Sequence, residues 1–253
     1  MLHLPTLLLV EVSVTLLMTL LMAIAALLAG NRPEQRWWAL GNVVATLGLA
    51  VGAQTAAPDV VHAVLSYGLI GLGLGLVPRG LRLYCGEDLS LRWLFAIAGL
   101  ALVLPAIFLW GLPSLSGRLI VTGAYFGLLN LACVAVLLRG VRDATRPVMW
   151  VSASGFLVLG LVLLLRALFL GWELRSPDAA RNAELVMGLT LFVIPLTQVA
   201  IGFGMMLMIA RRYAEELRRL SLTDKLNGAF NRAGLEGRGG RVLQRARMAR
   251  RPV

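Results

Sequence analysis

The chain has 253 residues, 58% of them hydrophobic and 15% charged, and its mean hydropathy is +0.81. A soluble domain of this length has too little interior to hide so much apolar surface, so lipid must be the solvent for much of it. The net charge of +11 would suggest nucleic acid in a soluble protein. Here the arginines sit in connections and in the C-terminal tail, which points to anionic lipid at a membrane surface and excludes a nucleic-acid partner.

The first apolar run, Leu4 to Ala29, is long enough to cross a hydrocarbon core of ~30 Å. It is expected to stay in the protein: no Lys or Arg precedes it, and it is longer than the apolar region of a signal peptide. Six further runs follow at Trp37–Ala56, Val60–Val77, Trp93–Leu112, Leu119–Leu138, Val148–Leu170 and Leu185–Ala210. None shows strand alternation, and only a helix satisfies its own backbone polar groups in lipid. The predicted fold is all-α: a polytopic membrane protein of seven transmembrane helices with a short cytoplasmic helical tail.

Arginines orient it. The connections after the first, third and fifth runs contain Arg32, Arg36, Arg79, Arg82, Arg92, Arg139, Arg142 and Arg146. The alternate connections contain only Arg118, Arg175 and Arg181. The richer side is cytoplasmic by the positive-inside bias, so the N-terminus lies outside and the C-terminus inside. Arg211 and Arg212, directly after the last run, agree with that placement.

Polar residues inside membrane spans are costly, so function is sought among them first. Glu11, Gln54, His62, Tyr67 and Arg166 all fall in the outer halves of their runs and form the candidate ligand-binding set. Glu11 and Arg166 could pair or hold a ligand between them; the bland reading is that both reach out to the interface. Asn42, Asn130 and Gln198 read as interhelical hydrogen-bond glue, and Gly71/Gly75 and Gly123/Gly127 as helix-packing steps. Pro195 is a possible kink in the last run. The Gly71–Gly75 run is not a nucleotide loop, because no strand precedes it. Cys85, in a connection, and Cys133, in an apolar run, make no disulfide framework. Only two histidines, His3 and His62, are available as haem ligands, both near the outer surface. The one lysine, Lys225, lies in the tail, which excludes a retinal Schiff base within the bundle. No metal site is expected.

The division is therefore a transmembrane domain over 1–210, a signalling helix over 211–222 and a basic segment over 223–253. Met206, Ala210, Tyr213, Leu217 and Leu220 repeat with 4-3-4-3 spacing, an a/d seam of about two heptads. Glu215 can reach Arg219 along the exposed face. A homodimer through this seam is expected.

The residues after the seam, Leu220-Ser221-Leu222-Thr223-Asp224-Lys225-Leu226-Asn227-Gly228-Ala229-Phe230-Asn231-Arg232, resemble the opening of a GGDEF domain. Diguanylate cyclases of that family begin the domain with T-D-x-L-T-G-x-x-N-R, directly after a signalling helix. Thr223, Asp224, Leu226, Gly228, Asn231 and Arg232 match in register, whereas Asn227 stands where the family has Thr. Thr223 or Asp224 can cap the helix that the seam ends, and Gly228 offers a backbone free of Cβ constraint. The resemblance implies a sensory input module of a bacterial inner-membrane protein that makes cyclic di-GMP from two GTP. Tyr213, Leu217 and Leu220, with the six matched residues, are then the signal-coupling set. The family's metal-binding carboxylates and GGDEF hairpin are not among these 253 residues. No catalytic residue and no cofactor is expected in this chain; Mg2+ and GTP belong to the output domain that the resemblance implies. The competing readings are a multi-pass transporter or channel, and a structural membrane protein without a ligand.

Overall fold

The computed structural model describes residues 4–28, 32–52, 60–87, 90–112, 114–140, 146–173 and 179–222. They form seven helices and, among the described residues, no strand. These are α1 (Leu4–Leu28), α2 (Pro33–Gly52), α3 (Val60–Cys85), α4 (Leu91–Ala106), α5 (Leu115–Gly140), α6 (Arg146–Glu173) and α7 (Ala179–Leu222). Residues 1–206 make one compact unit and residues 207–253 a second.

Among the described residues, six helices are long and apolar enough to cross a membrane: α1, α3, α5, α6, the apolar part of α7, and α4 together with the segment after it. Such a chain is a helical membrane protein. Its α2 is less apolar, because Glu34, Gln35, Arg36 and Asn42 fall within it.

Helix ends follow local chemistry. Pro33 opens α2, at the one place where its missing N–H costs nothing, and Glu34 in the first turn suits the positive end of the helix dipole. Helix α3 outruns its apolar stretch and ends at Cys85, so that cysteine belongs to the helix and not to the connection. Gly86 follows with φ of 88°, and Glu87 N–H donates to Arg82 O at 2.8 Å, which closes the helix end. After α4 the backbone widens into a π-turn over Ile107–Gly111, closed by Leu112 N–H donating to Ile107 O at 3.0 Å.

Exposed tryptophans sit at both ends of two helices. Trp93 and Trp110 flank α4 and its π-turn, and Trp150 and Trp172 lie near the ends of α6. At 1.5 Å rise per residue these pairs are roughly 25 and 33 Å apart. That spacing matches aromatic belts at the two faces of a bilayer.

Lipid tails are as apolar as leucine, so packing must hold the helices together, and small residues let backbones approach. Helix α2 runs antiparallel along α3 in this way. A Cβ on Gly41 would stand 2.8 Å from Gly73 O, and one on Gly48 would stand 2.8 Å from Ile70 N. Ser66 Oγ donates to Gly48 O at 2.7 Å in the same seam. The Gly71 and Gly75 faces meet Ala101 and Ile97 of α4, and Gly123 and Gly127 meet α6 at Leu163 and Leu164. Both glycine steps are helix-packing faces.

Helix α7 meets α6 where Gly155 faces Ile201, and Ser152 Oγ donates to Ile201 O at 3.4 Å. It meets α1 where Thr15 Oγ1 donates to Gln198 Oε1 at 2.8 Å. Helix α4 lies at the periphery: Phe95 is 75% exposed, yet Tyr125 of α5 donates to Ile97 O at 2.6 Å.

Candidate functional site

The helices of residues 1–206 line a partly open cavity of about 440 Å³. Six of them line it, each with one face. From α1 come Leu8, Glu11, Thr15, Met18 and Met22, at the three- and four-residue steps of a helix stripe. From α3 come Ala63, Tyr67, Ile70, Leu74 and Val77, and from α5 Arg118, Thr122, Phe126 and Asn130. Faces of α2, α6 and α7 complete the wall, and α4 adds no residue to it. Leu8 to Met22 measures roughly 21 Å along the helix, so the lining extends about that far along the bundle.

Its charges cluster toward one end. Thr15 opposite Gln198 and Met18 against Gly202 set α1 parallel to α7, while Gly155 against Ile201 sets α6 antiparallel. On that register Glu11 lies near the level of Ile194 and Arg166 near the level of Thr190, roughly 6 Å apart along the axis. Arg166 approaches Gly123 of α5, and its Nη2 donates weakly to Leu119 O at 3.4 Å. Arg118 stands one turn nearer the start of α5.

These charged groups keep unused capacity. Glu11 is only 4% exposed, and its Oε2 has no hydrogen-bond partner. Nε of Arg118 and Nε of Arg166 are likewise buried without acceptors. Among the described residues neither arginine comes within ion-pair distance of Glu11. A buried charge without compensation is costly, so a polar group placed beside these three would gain most here.

The neutral polar groups are different. Thr122 donates to Arg118 O at 2.8 Å and Thr190 to Val186 O at 2.7 Å. Ser66 and Thr15 spend their protons on Gly48 O and Gln198. Gln198 is interhelical glue as its position suggests. Asn42 and Asn130 are not: each bonds its own helix, at Trp38 O (2.9 Å) and Phe126 O (2.8 Å). The four-residue step places a carbonyl of the preceding turn within reach of either amide, and that local bond wins over a neighbouring helix.

Of the sequence-derived ligand set, Glu11, Tyr67 and Arg166 come together on the cavity wall. His62 is exposed on α3 and off that wall, and Gln54 lies outside the described residues. Arg118 belongs to the site although its place beside a connection made it read as a topology charge only. The signal that could find it is the spacing Arg118-Thr122-Phe126-Asn130, four residues per step on one stripe. Among the described residues no three His, Cys, Asp or Glu side chains could hold a metal ion together.

In the second unit, Tyr213 and Leu217 lie on α7, and Leu217 is 67% exposed. Leu220 is also on α7. Glu215 Oε1 pairs with Arg211 Nε at 3.3 Å, one turn toward the N-terminus, and the side chain of Arg219, the partner read from the sequence, lies outside the described residues. Thr223, Asp224, Leu226, Gly228, Asn231 and Arg232 lie outside the described residues.

The fold and this cavity define a polytopic helical membrane protein with a charged internal pocket. No family model, curated protein or solved structure matches the chain.

Proposed function

We propose that this chain is the membrane input module of a diguanylate cyclase: a sensor whose seventh helix passes a signal from the bundle to a cytoplasmic output domain. The observation that carries this reading is α7. It supplies Thr190, Ile194, Gln198 and Met205 to the cavity wall, and the same helix extends to Leu222 through the Met206–Leu220 seam. A signal moves between two sites only when both bias one element, and α7 is an element that belongs to both. The Thr223–Arg232 match to the GGDEF opening names the output, which makes cyclic di-GMP from two GTP in the intact protein.

In this account all seven helices span a bacterial inner membrane, with the N-terminus outside and the C-terminus inside. Helix α2 falls short in hydropathy, but it tracks the spanning helix α3 from Gly41 opposite Gly73 to Gly52 opposite Ser66. A polar α2 is tolerated because Glu34 and Gln35 are buried in protein, away from lipid. The arginine distribution then sets the orientation.

A transporter is the competing reading, since a cavity with unspent charges also suits a transported solute. Transporters of known design pair two interrupted helices around the site, whereas each of the six helices that line this cavity is continuous from its first residue to its last.

Two copies meet through the seam. Single cysteines at Leu217 and Leu220 are expected to cross-link into dimers in membranes, and cysteines at Glu215 and Arg219, on the opposite face, several-fold less. Equal yields at all four positions, or none at any, would contradict the signalling helix.

A further inference from the structure

The cavity specifies a ligand class by charge and by shape. Arg118 and Arg166 bring two positive charges to its wall, and Glu11 brings one negative charge. With all three ionised, the described residues of this wall carry one net positive charge where water is scarce, and such a charge is costly. A single anionic group neutralises it. A dianion or a cation would leave a net charge of its own.

Away from the arginines the wall is mostly apolar, with Asn42, Asn130 and Gln198 as its amides. Thr15, Ser66, Thr122 and Thr190 have spent their protons within the protein. Beyond them come Met18, Met22, Leu74, Val77 and Met205. Methionine is unbranched and adaptable, so this end can wrap a flexible hydrocarbon. The volume of about 440 Å³ lies in the range of ordinary small-ligand cavities, and a lining roughly 21 Å long suits an extended chain.

We propose that the cavity binds a single-chain, monoanionic amphiphile, with its acidic headgroup at Arg118 and Arg166 and its hydrocarbon tail running toward Met22 and Met205. The inference deepens the sensor reading and rests on it for the use to which binding is put; the binding itself is separable. The surrounding lipid is as apolar as the cavity wall, so tail length contributes little and the headgroup decides. A fatty-acid carboxylate and the phosphodiester of a lysophospholipid are two sources of the same chemistry.

The test uses the full chain purified in a neutral detergent, with binding read by native mass spectrometry and by titration. The probes are hexadecanoate, palmitoyl lysophosphatidylglycerol, hexadecanol and hexadecyltrimethylammonium. At least one of the two anions should bind about tenfold or more tighter than the alcohol and the cation, and the tighter anion identifies the source. Arg166→Gln should weaken the anion about tenfold, and Arg118→Gln should act in the same direction. At a pH alkaline enough to ionise the carboxyl, Glu11→Gln should strengthen it, because a repelling charge is removed. That opposite sign separates recognition from folding, since a merely damaged bundle weakens binding in every variant. Alcohol binding equal to the anions, or weakening by Glu11→Gln and Arg166→Gln alike, overturns the proposal. Should neither anion bind while Leu217 and Leu220 still cross-link, the amphiphile is wrong and the signalling helix stands.

Discussion

Replacing Gly73 with leucine is expected to leave no stably folded bundle, while the same change at Gly99 leaves the protein intact. A Cβ at Gly73 would lie 2.6 Å from Ala45 N and 2.8 Å from Ala45 Cβ, against the backbone of α2. Backbone cannot step aside as the end of a side chain can, so α2 and α3 must separate along the seam that Ser66 and Gly48 also form. Overpacking costs about 1–3 kcal/mol where neighbours yield, and this site exceeds that range because they cannot. The helix-propensity gain of about 1 kcal/mol on leaving glycine works in the opposite direction and is too small to offset it. Gly99 is the matched control: nothing stands within 4 Å of a Cβ there. Thermal melts in detergent, read by loss of the monodisperse peak, compare the two. A Gly73→Leu protein that melts within a few degrees of the parent would disprove the close α2–α3 approach.

Trp38→Ala should be the most destabilising truncation in the same seam, at about 3–5 kcal/mol. The indole is wholly buried, stacks obliquely on Tyr84 at 5.9 Å, and fills the space that Gly80 leaves open. Truncation empties that volume where no water can usefully enter. Trp38→Phe tests which part of the residue matters. The Trp38 Nε1–H has no acceptor, so phenylalanine forfeits no hydrogen bond and keeps much of the ring contact. Its cost should stay under about 1.5 kcal/mol. Equal losses from the two variants, measured by the same melts, would mean that a polar contact of the indole and not its bulk holds the site.

The helices were readable from the sequence because each apolar run had to become one in lipid. Their ends were harder to place. Helices α3 and α7 continue past the last apolar residue, since nothing in a helix requires it to stop where the hydrocarbon does. Helix α2 starts earlier than its apolar run because Pro33 and Glu34 favour a helix start more strongly than Trp37 does. The cavity was harder still. In a soluble helix the buried stripe stands out as apolar against polar, but here both the lipid face and the cavity face are apolar, and the periodicity is flattened. Only charged residues break that uniformity, which is why Glu11 and Arg166 could be singled out. Arg118 was hidden by its position beside a connection, whereas Tyr67, grouped with Glu11 and Arg166 from the sequence, stands on the same wall.

The α2 helix decides between two topologies, and with them the account of how a signal crosses. If α2 spans, seven crossings put residues 1 and 253 on opposite sides; if it lies within the bundle without crossing, six put them on the same side. Paired fusions of alkaline phosphatase and a fluorescent protein, at the N-terminus and after Val253, read this directly in cells. The account predicts a fluorescent, phosphatase-inactive fusion at residue 253 and an N-terminus accessible from outside. An active phosphatase at residue 253, or both ends reporting the same side, would contradict it.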